Sequence, residues 1–287
     1  MTITRICPLL SLLFAGCATS PPDTPHSDVT ATYTLQPGDE KYFCYTINLP
    51  ADRDIAITKM TPKYGVGTHH ILFAQTITPE ADGFTECPVL IRDTWLPLYT
   101  GGLNSGPLEL PPSTGFTVLQ RGQQVLLQLH LQNVSDQPIT DTTTMRVDYT
   151  DVTPELIPAG IFGFDNRKLD IPAHTNAAVN QMNCSVDRDL DVFAVLGHMH
   201  KHGTHLDVSR GVNAGDEMLY AEDWNFETQP VTPMTYTVHK SDNIFLRCTH
   251  ANSGDTAVPY GESSDTEMCA FVMFYAPAAG LDGCINQ

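Results

Sequence analysis

The stretch Gln124-Val125-Leu126-Leu127-Gln128-Leu129-His130-Leu131-Gln132 has the two-residue period that decides the class of fold. Its odd-numbered positions are all aliphatic and its even-numbered positions are mostly polar, so the two sets lie on opposite faces of a strand. Segments 42–47, 71–75 and 268–275 have the same strand-like character. Since the chain also has 21 prolines, 20 glycines and no long stretch with a 3.6-residue period, it predicts an all-β protein of antiparallel β-sandwiches.

A cluster of proline and glycine residues at 153–160 indicates where the body of the chain divides. This body, residues 32–287, suits either two domains of ordinary size or one large domain. We place the predicted boundary in the cluster, with a first domain at 32–155 and a second at 156–287.

The N-terminal residues have the pattern of an export signal. Arg5 precedes an apolar run at 6–14 and then Ala15-Gly16-Cys17, which predicts a signal peptide at 1–17. The small residues before Cys17 resemble a bacterial lipobox, so we expect Cys17 to carry a lipid anchor; the alternative is an ordinary secretory peptide cleaved nearby. Residues 18–31 are rich in Ser, Thr, Pro and Asp and predict a flexible tether. The expected location is the outer membrane or cell surface, on its periplasmic or extracellular side.

Charge and cysteine content narrow the function classes. The formal net charge of −18 lacks the basic footprint that nucleic-acid binding requires. Export places the chain in an oxidising compartment, where an even number of cysteines fits three disulfides with fifteen connectivities. If each half folds separately, the first half can only pair Cys44 with Cys87. The cysteines beyond the signal region are Cys44, Cys87, Cys184, Cys248, Cys269 and Cys284.

The stretch His198-Met199-His200-Lys201-His202 places three histidines on one face of a predicted strand. Imidazoles crowded together without a metal add no stability and repel one another when protonated, so we predict a metal site that uses two of the three. A thioether from Met268 as third ligand would suit copper that cycles through Cu(I), because soft ligands select that ion. The alternatives are a polar strand face and a methionine that fills the core.

A second histidine set, His69-His70 with His130, lies in the first half. Neighbouring strand residues point to opposite faces, so both can reach one metal only where the strand begins, bends or bulges. Gly65 and Gly67 supply that freedom. The alternative is one partly buried histidine and two at the surface. Two copper sites would favour redox chemistry on oxygen over hydrolysis. The remaining candidates are interpreted as surface or supporting residues: His174, His205, His239 and His250.

The order and spacing of these motifs resemble the copper type II ascorbate-dependent monooxygenases, over roughly residues 33–284. The segments that carry the resemblance are Tyr42-Phe43-Cys44, His69-His70-Ile71-Leu72-Phe73, Gln128-Leu129-His130, His198-Met199-His200, Ser263-Ser264-Asp265, Glu267-Met268-Cys269 and Phe274-Tyr275.

The resemblance implies two jelly-roll-like β-sandwiches of eight to nine strands that face each other across a water-filled cleft. It implies two coppers per chain, an electron-transfer copper in the first domain and an oxygen-activating copper in the second. Ascorbate or an unknown donor would supply the electrons, and Gln128 would help link the cleft to the first copper. The implied ligands are His69, His70 and His130 for the first copper and His198, His200 and Met268 for the second. The implied disulfides are Cys44–Cys87, Cys184–Cys284 and Cys248–Cys269.

One departure from the family bears on the substrate. Members that hydroxylate peptidylglycine hold its carboxylate with an Arg, an Asn and a Tyr, where this chain has Leu196, Ala270 and Val272. None of these can donate a comparable hydrogen bond, so we expect hydroxylation of a small, less polar substrate with O2. The alternatives are a copper-binding lipoprotein that stores or delivers the metal without turnover, and a structural or adhesive surface protein with decayed sites.

Overall fold

The computed structural model describes residues 24–49, 53–87, 92, 94–103, 105–118, 124–261, 263–278 and 282–286. Within these ranges the chain forms strands and turns and no α-helix, which confirms the all-β prediction. Nothing in the described ranges is a helix long and apolar enough to cross a membrane. The predicted signal peptide and Cys17 lie outside the described residues.

The first half contributes two antiparallel sheets. One has the order β1-β10-β3-β8, with β7 also on β3, and the other has the order β5-β2-β9-β4-β6. The strands are β1 (His26–Leu35), β2 (Glu40–Asn48), β3 (Ile55–Lys63), β4 (Thr68–Thr76), β5 (Gly83–Glu86), β6 (Trp95–Gly102), β7 (Leu108–Glu109), β8 (Thr114–Val118), β9 (Gln124–Gln132) and β10 (Ile139–Asp151).

The central strand β9 pairs with β2 on one side and β4 on the other. Its aliphatic positions are fully buried in one apolar cluster with residues of both sheets. The face predicted to be mostly polar is buried too: Leu126 packs with Cys44 and Trp95 in a smaller cluster, and His130 is 2% exposed. A central strand covered on both faces gives even a polar side chain an interior environment.

The second half contributes sheets of order β18-β15-β21-β12-β22 and β14-β19-β16-β17, and the pair β13-β20. Their facing residues share a second apolar cluster, which includes Phe271 and Leu246. The strands are β11 (Ile157–Pro158), β12 (Gly160–Asn166), β13 (Asp170–Ile171), β14 (Thr175–Ser185), β15 (Leu190–Met199), β16 (Gly203–Arg210), β17 (Glu217–Asp223), β18 (Thr232–Val238), β19 (Asn243–Asn252), β20 (Val258–Pro259), β21 (Cys269–Tyr275) and β22 (Asp282–Asn286).

Two predicted boundaries shift. The tether was expected to extend to residue 31, but β1 begins at His26 and pairs with β10 along its length. Val29 and Ala31 are 0% and 1% exposed, because alternate positions of this strand face the core. At the other boundary, β11 pairs with β8 of the first half, so the change of sheets falls after Pro158 and not after residue 155.

The disulfides are those that the resemblance implied. Cys44 is bonded to Cys87 within the first half, and the second half contains Cys184–Cys284 and Cys248–Cys269. Cys269 is the first residue of β21 and is fully buried. Its bond to β19 therefore links the two large sheets of the second half next to Met268.

The two halves are in direct apolar contact. Ala194 and Leu196 of β15 and Phe274 of β21 are at most 1% exposed and belong to the same apolar cluster as the core of the first half. The resemblance implied a water-filled cleft between the two halves. In the structure these aliphatic and aromatic side chains on the outer face of β15 and β21 close against the first half, because burying them removes apolar surface from water.

Gly65 offers a test of the turn that leads into His69. A Cβ at this position would lie 2.5 Å from Tyr33 Oη and 2.6 Å from the backbone oxygen of Thr142. We expect Gly65→Ala to lower the free energy of unfolding by about 1–3 kcal/mol, as overpacking does, measured by urea denaturation. Gly163→Ala is the control, since nothing lies within 4 Å of its Cβ position. Equal stability of the two variants would contradict the expectation.

Candidate metal centres

A β-bulge brings the histidines of the first set together. The pairing of β4 with β9 shifts register between Thr68 and His70, so the consecutive residues His69 and His70 both turn toward His130. The Nδ1 atom of His70 lies 3.4 Å from Nδ1 of His69 and 3.3 Å from Nδ1 of His130. One ligand atom from each of the three residues lies within 4.8 Å of the others. The sequence indicated that the strand must begin, bend or bulge here, and the structure has a register shift at this point.

These spacings fit a metal ion. Nitrogen ligands about 2.0–2.1 Å from a metal and about 110–120° apart are separated by about 3.3–3.5 Å. Burial lowers the pKa of His69, lowers that of His70 well below its ordinary value, and lowers that of His130 to about 4. All three imidazoles are therefore neutral at pH 7, which is the form that binds metals. The first set can hold a metal ion.

The outer nitrogen of His130 is held by a carboxylate. Its Nε2 donates to Glu40 Oε1 at 2.9 Å, and the ring stacks on Tyr42 at 4.4 Å with an interplanar angle of 5°. These contacts fix the ring and leave Nδ1 for a metal. Sequence reasoning missed Glu40, which lies 90 residues from His130.

In two histidines of the second set, Nδ1 is hydrogen-bonded and Nε2 is left to bind a metal. Nδ1 of His198 is 2.8 Å from Gln229 Oε1, and Nδ1 of His200 is 3.0 Å from the backbone oxygen of Thr266. Both acceptors require the proton on Nδ1, so Nε2 is left with a free lone pair. His198 Nε2 is buried without a hydrogen-bond partner in the described structure. Burial lowers the pKa of His198, and that of His200 to about 3.

Glu267 ties Met268 to this pair. Its buried carboxylate accepts hydrogen bonds from the backbone N–H groups of His200, His202 and Met268, the last at 3.0 Å. Met268 is 6% exposed, and β15 and β21 pair His198 with Ala270, so the methionine sits beside the His200 backbone. Burial raises the pKa of Glu267 to about 7, although these donors oppose the shift. The only sign of this role in the sequence was that Glu267 directly precedes Met268.

The third histidine of the motif lies elsewhere. The strand ends at Met199, so the predicted alternation stops before His202, whose Nδ1 lies 3.2 Å from the backbone oxygen of Ala251. His250 is fully buried and supports the site, since its Nε2 lies 3.4 Å from the backbone oxygen of Met268. The other supporting or surface candidates each lie near a carboxylate: His174, His205 and His239.

The two histidine sets are neighbours across the contact between the halves. The ring centroids of His70 and His198 are 6.1 Å apart, and Phe226 packs 4.2 Å from the ring of His69. The backbone oxygen of Gln229 accepts hydrogen bonds from Gly102 N and Ser105 Oγ of the first half. The loop that carries Phe226 and Gln229 thus lies against the first half beside His69.

The remaining site candidates lie near the two sets. Gln128 shares the face of His130, but its Nε2 is 3.8 Å from Cys87 Sγ, next to the disulfide; its linking role stays a prediction. Leu196 is buried in the contact between the halves, and Val272 packs against the same cluster. Ala270 is the strand partner of His198. No hydrogen-bond donor replaces the peptide clamp at these three side chains.

Removing the Glu267 carboxylate should loosen the Met268 site. In Glu267→Ala the N–H groups of His200, His202 and Met268 lose a buried acceptor, each at a cost of about 1–3 kcal/mol. We expect a loss of several kcal/mol in urea denaturation and weaker copper binding at this set, measured by chelator competition. The exposed Glu155 gives the control Glu155→Ala. Unfolding at the same urea concentration in both variants would show that the carboxylate does not support the site.

Comparisons with known proteins agree with this geometry. Residues 158–287 match the sequence model of the copper type II ascorbate-dependent monooxygenase C-terminal domain. The chain is 26% identical over 251 residues to peptidyl-glycine alpha-amidating monooxygenase of Mus musculus, covering 83% of this chain and 25% of that protein. It is 23% identical over 283 residues to DBH-like monooxygenase protein 1 of Gallus gallus, covering 86% and 46%. The chain thus spans less than half the length of these relatives.

Among solved structures, PNGase F of Flavobacterium meningosepticum superimposes with a TM-score of 0.44 and 8% identity, covering 90% of this chain and 98% of that one.

The match of the C-terminal domain and the relatives that extend over both halves agree with the order of the histidine and methionine motifs. On this evidence residues 158–287 match the C-terminal domain of the copper type II ascorbate-dependent monooxygenase family, and the chain over both halves is similar to members of that family.

Proposed function

We propose that this protein is a copper monooxygenase that hydroxylates a C–H bond of a small substrate with O2 and an external reductant. The observation that carries the proposal is that one chain holds two histidine sets of the kind found in this family. One set presents three converging Nδ1 atoms. In the other, the rings of His198 and His200 have centroids 5.2 Å apart, and the pairing of β15 with β21 brings the Met268 backbone beside that of His200. In the proposed reaction two electrons and two protons are consumed per O2, one oxygen atom enters the C–H bond, and the other leaves as water.

His69, His70 and His130 would hold the electron-transfer copper, and His198, His200 and Met268 the oxygen-activating copper. Bound copper supplies electron storage and oxygen activation, and the soft thioether of Met268 favours its reduced form. The side chains contribute neutral ligands at pH 7, since burial lowers the histidine pKa values. Burial also keeps bulk water away from both donor sets.

The finer architecture is part of the proposal. The two large sheets of each half enclose a separate apolar cluster, which supports two tandem jelly-roll-like sandwiches with one copper each. The halves would separate to admit substrate, because the outer face of β15 and β21 is closed in the present arrangement. Gln128 is proposed to help link that opening to the first copper.

The substrate is proposed to be small and less polar than peptidylglycine. Leu196, Ala270 and Val272 offer methyl groups and no donor for a carboxylate. The reductant is proposed to be ascorbate or another small electron donor. The predicted lipobox Cys17 would anchor the protein to a bacterial membrane, the outer membrane being favoured, with the body facing the periplasm or the exterior. We propose no nucleic-acid partner, given the net charge of −18.

One observation favours a second candidate function, a copper-binding lipoprotein that stores or delivers the metal. Leu196 and the loop with Phe226 close the space beside both histidine sets. Two buried donor sets in a closed arrangement can retain a metal without any movement of the halves. Turnover also requires the halves to separate so that substrate can enter.

Copper counting with a ligand variant separates these functions. The chain without residues 1–17 should bind two coppers after removal of loose metal, and Met268→Ala should lose oxygen uptake with ascorbate while keeping the His69/His70/His130 copper. Met218→Ala, at a half-exposed methionine near the start of β17, is the matched control and should behave as the parent. Two coppers without reductant-dependent oxygen uptake on a panel of small apolar substrates would favour storage. Normal turnover by Met268→Ala would remove Met268 from the ligand set.

A further inference from the structure

One carboxylate contacts both halves of the proposed site. Glu40 is the first residue of β2, and two residues further on Tyr42 pairs with His130 in the β2–β9 ladder. Glu40 Oε1 accepts the Nε2 proton of His130 at 2.9 Å. The same oxygen accepts a hydrogen bond from Ser264 Oγ of the second half at 2.8 Å, 224 residues along the chain. Ser264 belongs to the turn that leads into Met268 and is 6% exposed.

From this contact we propose that Glu40 is a positioning residue that tunes the copper of the first set and couples it to the docking of the second half. The inference rests on the proposed function of the two donor sets. A carboxylate that accepts the outer N–H of a metal-bound imidazole orients the ring and makes the ligand more basic. A more basic imidazole stabilises Cu(II) relative to Cu(I), so Glu40 lowers the reduction potential of this copper.

Ser264 opposes that effect. Its hydroxyl donates to the oxygen that His130 uses, and each donor takes part of the electron density of one carboxylate oxygen. When the halves are docked, Glu40 is therefore a weaker acceptor for His130 and the potential of the first copper rises. When they separate, Glu40 Oε1 exchanges the fixed Ser264 donor for mobile water, so more of its acceptor strength is left for His130 and Cu(II) becomes more stable there. Docking of the turn before Met268 therefore affects His130 through two hydrogen bonds to Glu40, although His130 lies 90 residues from Glu40 in sequence.

The geometry leaves this role to Glu40. Glu227 is the other carboxylate near the three histidines of the first set in the described structure. Its Oε2 is 3.8 Å from His69 Nε2, which is too far for a hydrogen bond. Nε2 of His70 is buried and has no hydrogen-bond partner within the described part of the chain. Among the three imidazoles, the described structure thus gives only His130 a hydrogen-bonded carboxylate at its outer nitrogen.

Opposite shifts in potential test the proposal. The measurements use the chain without residues 1–17 and with His200→Ala, so that copper at the first set is measured without the second copper. In this background Glu40→Gln should raise the midpoint potential of the copper and weaken Cu(II) binding about 10–100-fold. Ser264→Ala should lower the midpoint potential and leave Cu(II) binding equal or tighter. Glu40→Asp should recover part of the parent potential. Glu86→Gln, on the neighbouring strand β5 and exposed, removes the same charge away from the histidines and should change neither quantity.

Potentials are read by mediator titration, with the Cu(II) EPR signal as the second readout. Shifts of the same sign in Glu40→Gln and Ser264→Ala, or no shift in either, would overturn the coupling. If Glu40→Gln does not fold, Ser264→Ala carries the test alone, and an unchanged or higher potential contradicts the proposal. Absence of copper at the first set in the parent would refute the proposed function instead, which separates the two failures.

Discussion

The site depends first on the pairing of β4 with β9. These strands lie in the middle of one sheet, where the aliphatic positions of β9 are fully buried and hold the register. Within that register a single bulge after Thr68 turns two consecutive histidines toward a third. Since a slip by one residue would turn Gln128 and His130 into the large apolar cluster, the register is fixed and the three imidazoles are held together even at the cost of burying them. Burial in turn keeps them neutral and ready for a metal.

The second donor set uses a different device. Here the paired strands β15 and β21 position the donor residues. The buried Glu267 carboxylate accepts hydrogen bonds from backbone N–H groups just after the end of β15 and at Met268. Gln229 and the backbone of Thr266 hold the outer nitrogens of His198 and His200. The first set is therefore positioned by a bulge in a ladder, and the second by hydrogen-bond acceptors from loops. The loops also touch the first half, so the second set is sensitive to how the halves meet.

The contact between the halves combines apolar and polar parts. Leu196 and Phe274 bury apolar surface next to the first half, whereas Gln229 and Ser264 make hydrogen bonds across the contact. The side chains of Leu196 and Val272 offer no hydrogen-bond donor, and they let this face of β15 and β21 close on the neighbouring core.

The sequence by itself determined the all-β class, singled out His69, His70 and His130 as one candidate set, and indicated that the first two converge only where the strand begins, bends or bulges after Gly65 and Gly67. These follow from local alternation and from the conformational freedom of glycine, which a sequence displays directly. The tertiary structure alone decided that β1 starts inside the predicted tether, that His202 leaves the strand face, and that apolar side chains of β15 and β21 close against the first half. It also supplied Glu40, Gln229 and Glu267. The histidines that they support lie 31 to 90 residues away, and no local pattern encodes a hydrogen bond over that separation.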